Sequence, residues 1–338
     1  KDLHGIQINR VVRYFWYLNN RSFHLQGDSI QCSNSNEFDF NRDERPHFIY
    51  VGGNELYENY ENAYDTKGCY HVVFSENYVH DFTNSVKTAN NTAITTAQDA
   101  EGFVGDAYGW FLNNRIENVG DPFAYKATTD DGFSFILGNL VVNTLAKRFL
   151  AIEGRCFKQQ PSEISTCGDG VFVAMNTVDC NGNTGAVTAT RSGGGAAELS
   201  QAEKDQEMTF IGNVFYNCTD AENTRGESSH GWESINSNFI LKYNHNVDYR
   251  SFGDPLRLSR WNDEEIGNLT NIDPNFVNPN STLSGDYTLG FGSSARRLVP
   301  NEPIVYGLFQ ELYGIDIRRD INGKAWRVDS RLNAGAVQ

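Results

Sequence analysis

One short unit recurs along the chain and leaves few folds open to it. A β-prone apolar run ends in Asn and is followed by a second, smaller apolar run. It reads HFIYVGGNELYEN at 47–59, HVVFSENYVHD at 71–81, GWFLNNRIEN at 109–118 and FSFILGNLVVN at 133–143. It continues as VFVAMNTVDCN at 171–181, MTFIGNVFYNC at 208–218 and FILKYNHNV at 239–247, with RYFWYLNNRSF at 13–23 as an earlier copy. The anchoring residues are Asn20, Asn54, Asn77, Asn114, Asn139, Asn176, Asn213 and Asn244, at successive spacings of 34, 23, 37, 25, 37, 37 and 31.

A repeated strand–Asn–strand unit predicts an all-β fold, a single right-handed parallel β-helix with loop insertions on one side. Each coil of such a solenoid supplies short strands whose inward side chains stack into columns. Asn suits the bend because it tolerates a left-handed backbone and its amide bonds to the Asn above and below. A bare coil takes roughly 22–25 residues, so the longer spacings carry insertions, which commonly build a binding face. A β-sandwich is the alternative, but its hairpin turn signals are few here. Residues 1–272 are read as coils and 273–338 as a closing segment on the same solenoid. Two helices are expected, at 196–208 and 303–315.

The 338 residues carry 43 acidic and 28 basic side chains, for a net charge of −15. That sign argues against nucleic acid as a partner. No apolar run approaches the roughly 18–20 residues that span a bilayer, so no membrane partner is expected. Six cysteines, Cys32, Cys69, Cys156, Cys167, Cys180 and Cys218, are even in number and lack zinc spacing. Their pairing is left open among fifteen arrangements. Five Asn-x-Ser/Thr sequons and the absence of a leader at Lys1 fit a processed chain that is secreted, periplasmic or on the cell surface. A monomer is expected.

HFIYVGGNELYENYENAYDTKGCYHVVFSENYVHD resembles coils of the pectate-lyase-like β-helix superfamily of polysaccharide-active proteins. DPNFVNPNSTLSGDYTLGFGSSARRLVP at 273–300 and DINGKAWRVDSRLNAGAV at 320–337 are similar to the closing segment of secreted bacterial enzymes of that group. The resemblance implies the fold over roughly residues 6–337. It is suggestive of activity on a polysaccharide, since the superfamily includes lyases, hydrolases, epimerases and phage tailspikes.

Five segments align at the strand that follows the second apolar run, beginning at Ala63, Ala93, Ala124, Phe149 and Val187. Equivalent residues on stacked strands lie about 4.8 Å apart. Asp65, Lys67, Lys126, Glu153 and Arg191 then line one groove, walled by insertions that carry Asp99, Glu101, Asp130 and Asp131.

Breaking a uronic-acid polymer by elimination requires a base for the C5 proton, a cation or metal on the carboxylate, and a proton for the departing O4. Lys67 is the candidate base, and Arg191 or Lys126 the carboxylate clamp. Asp99, Glu101, Asp130 and Asp131 offer hard oxygen ligands for Ca²⁺. His71 or His80 is a candidate acid, and His71, Trp110 and Tyr125 are candidate sugar contacts, with Trp232 and Trp261 further possibilities; His230 and His245 rank lower. Each has a plain structural reading beside it. A lysine at a strand end is often only solvated, Asp-Asp-Gly is an ordinary turn signal, and aromatics more often stack in cores. Glu61 before Lys67 partly matches the alginate lyase and chondroitinase B pattern, with Ala63 at the second Glu and no Arg-His-Gly. Asp130-Asp131-Gly132 is similar to the Asp cluster of calcium-dependent pectate lyases, although Lys67 precedes it.

The leading expectation is a lyase acting on an acidic polysaccharide. A β-helix hydrolase or epimerase would instead use paired carboxylates about 5–9.5 Å apart, such as Asp65 with Glu153 or the 130–131 pair. A tailspike-like binder would hold glycan without a poised base.

Overall fold

Two-residue turns explain the repeat. In a computed structural model, residues 3–9, 11–33, 46–67, 69–83, 92–96, 108–127, 133–145, 148–154, 170–182, 185–191, 206–218, 239–249, 264–326 and 331–338 are described. The chain winds through three parallel sheets in turn, A then B then C, coil after coil. This is a parallel β-helix.

Sheet A stacks β1 (Ile6–Ile8), β4 (Ile30–Ser33), β7 (Tyr64–Lys67), β10 (Ile94–Thr96), β13 (Phe123–Ala127), β16 (Arg148–Gly154) and β19 (Gly185–Arg191). Sheet B stacks β2 (Arg13–Leu18), β5 (His47–Gly52), β8 (Tyr70–Ser75), β11 (Gly109–Leu112), β14 (Phe133–Leu137), β17 (Gly170–Ala174), β20 (Gln206–Ile211), β22 (Phe239–Asn244) and β24 (Glu264–Ile266). Sheet C stacks β3 (Arg21–Phe23), β6 (Glu55–Tyr57), β9 (Tyr78–Phe82), β12 (Arg115–Val119), β15 (Leu140–Thr144), β18 (Thr177–Asp179), β21 (Val214–Tyr216), β23 (Val247–Tyr249) and β25 (Leu269–Thr270). A hairpin, β26 (Phe276–Asn278) and β27 (Asp286–Leu289), and one helix, α1 (Ile304–Tyr313), follow. The helix expected at 303–315 is thus present. Of the other, Gln206–Met208 begin strand β20, and 196–205 lie outside the described residues.

Every passage from sheet B to sheet C takes two residues, and the first is left-handed. These are Asn19, Gly53, Glu76, Asn113, Gly138, Met175, Gly212, His245 and Gly267, with φ between 51° and 67°. The second is always Asn, and its side chain ties neighbouring coils. At Asn139, Oδ1 accepts from the backbone N and Nδ2 of Asn114, both at 2.9 Å, while Nδ2 donates to Phe111 O at 3.0 Å and Asn176 Oδ1 at 2.9 Å. The same pattern joins Asn54 to Asn77, Asn77 to Asn114, Asn176 to Asn213, and Asn213 to Asn246. The ladder asparagine is therefore not the left-handed residue; its predecessor is. At Gly138 a Cβ would fall 2.3 Å from Asn113 Oδ1, so glycine fits there without displacing the neighbouring coil.

One ladder residue differs from the expected one. Asn244 ends β22 and bonds to Ile266 N and Glu264, whereas Asn246 enters the ladder and passes it to Asn268. With Asn-His-Asn in sequence, either spacing satisfies the repeat, and the turn selects the residue after left-handed His245.

The lumen is apolar. Tyr64, Phe74, Phe111, Phe123, Phe149 and Phe215 form a chain of ring contacts through it, with centroids 5.3–6.4 Å apart. Each fully buried Phe contributes about 1.5–3 kcal/mol of hydrophobic stabilisation. Disulfides Cys32–Cys69 and Cys180–Cys218 link positions 37 and 38 residues apart. They resolve part of the pairing left open by the sequence and accord with an oxidising compartment. Cys156 and Cys167 lie outside the described residues.

The closing segment packs on the outside of the solenoid. Val305, Tyr306, Phe309, Ile317 and Trp326 cluster with Trp110, Leu112, Phe135 and Leu137 of sheet B. Phe276, Tyr287, Leu289 and Ala334 cluster with Leu140, Val142, Val214 and Val247 of sheet C. Neither cluster includes a residue of sheet A. No helix among the described residues is long and apolar enough to cross a membrane.

Candidate functional site

Sheet A is the face that those clusters leave alone, and its register decides which side chains can work together. Tyr64 pairs with Ile94 and Asp65 with Thr95; Thr95 pairs with Ala124 and Thr96 with Tyr125. Lys126 pairs directly with Glu153, and Glu153 with Thr190. Lys67 lies two residues beyond Asp65, and Lys126 two beyond Ala124. Lys67, Lys126, Glu153 and Thr190 therefore occupy one row, with about 4.8 Å between adjacent strands.

Two expectations need correction here. The sequence alignment put Lys126 in the row of Asp65, because Ala124 was matched to Ala93. Ile94 pairs with Phe123, which moves Lys126 by two residues, into the row of Lys67 and Glu153. Arg191 was placed with Glu153, yet it pairs with Gly154, while Leu150 pairs with Val187. Arg191 thus shares the parity of buried Leu150 rather than that of Glu153, and a one-residue slip inverts the face. Tyr125 pairs with Thr96 and Ile152, in the register of Phe123.

Asp65 is only 4% exposed and sits in a buried polar row with Gln31 and Thr95. Beside that row, Gln7 donates to Gln31 at 3.2 Å and Gln31 to Asp28 Oδ2 at 3.1 Å. Asn62 donates its backbone N–H and side-chain amide to Asp28 Oδ1 at 2.9 and 2.8 Å, and accepts from Thr95 Oγ1 at 3.2 Å. Asp65 is thus a buried carboxylate beside a structural network, not an open one. His4, Asp28 and Glu61 bring three ligand atoms within 4.8 Å of one another. However, Asp28 already accepts from Asn62 and Gln31, and its backbone N–H donates to His4 Nδ1 at 3.0 Å. The cluster is better satisfied by protein donors than by a cation.

His71 and Trp110, expected along the groove, lie away from sheet A. Both belong to sheet B beneath α1, where Tyr313 OH lies 3.0 Å from His71 Nδ1 and accepts from Trp110 Nε1 at 3.2 Å. Trp110 has no exposed surface and stacks on Phe135 with centroids 3.9 Å apart. His71 is stacked between Phe48 and Tyr108, and burial, with His47 nearby, holds its pKa below the ordinary value. His80 lies on sheet C, stacked on Tyr57 and Tyr78 and paired with Asp81 at 2.7 Å. His245 forms a left-handed turn. The sequence shows the parity of these residues but not the helix that covers them.

Asp99, Glu101, Asp130 and Asp131, proposed as Ca²⁺ ligands, lie outside the described residues, as do His230, Trp232 and Trp261. So do most residues of the connections that leave sheet A at 34–46, 97–108, 128–132, 155–169 and 192–205. These are far longer than the two-residue passages from B to C, so sheet A carries much of the chain's freedom to vary.

No family model matches the chain. A stretch of 95 residues is 30% identical to probable outer membrane protein pmp8 of Chlamydia pneumoniae, covering 28% of this chain and 9% of that protein. XylC, solved in complex with xylose, superposes with a TM-score of 0.44 and 9% identity, over 96% of this chain and 60% of that one. The chain spans only part of either protein, so what each binds or does stays with that protein.

Proposed function

We propose that the outer face of sheet A binds an acidic polysaccharide and cleaves it by β-elimination. The observation that carries this reading is the row Lys67–Lys126–Glu153 on the sheet the closing segment leaves free. Lys67 in its neutral form takes the C5 proton, the electron pair forms the C4–C5 double bond, and the C4–O4 bond breaks. The departing O4 takes a proton from the Lys67 ammonium or from water. Lys126 faces the substrate carboxylate and offsets the charge that develops there, while Glu153, one strand away, orients Lys126. Ca²⁺ held by Asp99, Glu101, Asp130 and Asp131 would add counter-charge of the kind that oxygen ligands supply.

The register disfavours the hydrolase pairing of Asp65 with Glu153. Three strand steps separate them, about 14 Å, beyond the roughly 5–9.5 Å that glycosidase carboxylates need. The burial of Asp65 argues the same way.

The test is ultraviolet absorbance of the conjugated alkene during incubation with alginate, pectate, hyaluronan, chondroitin, dermatan and ulvan, with Ca²⁺ and with excess chelator. A rise on one polymer that Lys67→Ala abolishes supports elimination by this base. New reducing ends without the alkene would establish hydrolysis instead. Full turnover in chelator would remove Ca²⁺ from the proposal.

A further inference from the structure

The closing segment contains a cavity of about 790 Å³, a size typical of small-ligand sites. Its lining includes Arg296, Arg297, Lys324 and Arg331 and, among the described residues, no acidic side chain. In a chain of net charge −15 such a concentration of cations stands against the overall field. The four are exposed, and Lys324 Nζ is 3.3 Å from Gln338 O. Phe291, almost wholly exposed at 97%, also lines the cavity, next to left-handed Gly292.

Trp326 borders the same cavity from the packed cluster beneath it. It is 8% exposed, and its ring meets Tyr306 edge-on at 4.4 Å. Its indole Nε1 is buried with no hydrogen-bond partner among the described residues. A buried donor without an acceptor costs about 1–3 kcal/mol, a cost borne inside the packed cluster rather than in the cavity. Cations for carboxylates and an exposed aromatic face together make the recognition set of an anionic sugar.

We propose that this cavity is a second glycan site, away from sheet A, which holds a carboxylate-bearing sugar of an acidic polysaccharide. The inference rests on the reading of an acidic polymer as substrate and adds an anchor that keeps the chain bound between cleavages. Arginines meet the carboxylate and Phe291 the sugar face.

The test is calorimetric titration with tetrasaccharides of galacturonate, guluronate, mannuronate and glucuronate-containing chondroitin, with xylotetraose as the neutral control. The wild type is compared with the triple variant Arg297→Ala, Lys324→Ala, Arg331→Ala and with Phe291→Ala, each checked by thermal unfolding. The expected result is binding of an acidic tetrasaccharide that weakens at least tenfold in the triple variant and several-fold in Phe291→Ala. Equal affinity in a folded triple variant, no binding by any acidic member, or equally tight xylotetraose would overturn the site. Alkene formation, measured on the same proteins, separates the two readings. Turnover without cavity-dependent binding overturns the anchor alone. Cavity-dependent binding without turnover on any polymer overturns elimination and leaves the anchor standing.

Discussion

Tyr287 donates its phenolic hydrogen to Asp179 Oδ2 at 2.8 Å, joining the closing hairpin to the outer face of sheet C across 108 residues of sequence. Asp179 also accepts from Ser281 Oγ at 3.1 Å and from the backbone of Asn181 at 3.0 Å. Burial nevertheless raises its pKa above the ordinary carboxylate value, with these hydrogen bonds opposing the rise. Tyr287→Phe keeps the ring against Phe276 and removes only the donor. The expected loss is about 1–3 kcal/mol in chemical unfolding, with polysaccharide turnover unchanged. A variant as stable as the wild type would show that the ring packing alone holds the hairpin down.

Asp248 makes stability depend on pH in an unusual direction. It continues the inward column after Phe215, is 3% exposed, and accepts from Tyr243 OH at 2.5 Å. Burial pushes its pKa up to about 7, with the Tyr243 hydrogen bond opposing and Glu265 reinforcing the shift. The unfolded carboxyl titrates near 3.9, so the folded state holds the proton more tightly. Its stabilising contribution is full below about pH 4, falls as pH rises toward 7, and is absent above. Asp248→Asn keeps the acceptor for Tyr243 and carries no charge. Urea unfolding at pH 5 and pH 8 should show a smaller difference for the variant than for the wild type; an unchanged difference would assign the dependence elsewhere.

The asparagine ladder should be weakest at its end and strongest in its middle. Asn139→Ala leaves Asn114 and Asn176 amide groups and the Phe111 carbonyl without their partner, all buried. Asn20 bonds to exposed Leu18 O and to Asn54 at the edge of the ladder. A buried group left unsatisfied costs about 1–3 kcal/mol, so Asn139→Ala should cost several times more than Asn20→Ala. Denaturant titration of the two variants side by side tests this, and equal losses would mean that coil stacking rather than the amides sets the ladder's strength.

The ladder was legible because one residue type recurs at one position of every coil, a signal independent of strand register. The same holds for α1, whose apolar spacing at 303–315 survives in Val305, Tyr306 and Phe309 against the solenoid. Sheet A offers no such anchor. Sliding β13 by two residues keeps every side chain on its face, so the hydrophobic pattern cannot detect the slip that misplaced Lys126. Sliding β19 by one does invert the face, but the Thr-Ala-Thr run before Arg191 is nearly the same in either parity. His71 and Trp110 were read as groove residues because the contact that covers them comes from Tyr313, more than 200 residues away in sequence. Only the folded tail reveals that sheet B, and not sheet A, carries the closing helix.

That register separates two cations the sequence treated alike. Lys126 shares its row with Lys67 and Glu153, whereas Arg191 pairs with Gly154 in the opposite parity. If the row binds the substrate carboxylate, Lys126→Ala should lower kcat/KM on the cleaved polymer by about 100-fold or more, the usual cost of losing a group that stabilises developing charge. Arg191→Ala should stay within a few-fold of the wild type, as expected for a residue outside the reacting row. Both variants are read in one alkene-absorbance assay, with thermal unfolding to confirm the fold. The reverse order, Arg191 essential and Lys126 dispensable, would mean that the reacting side chains come from the other parity of β19, and the row proposed for catalysis would fall.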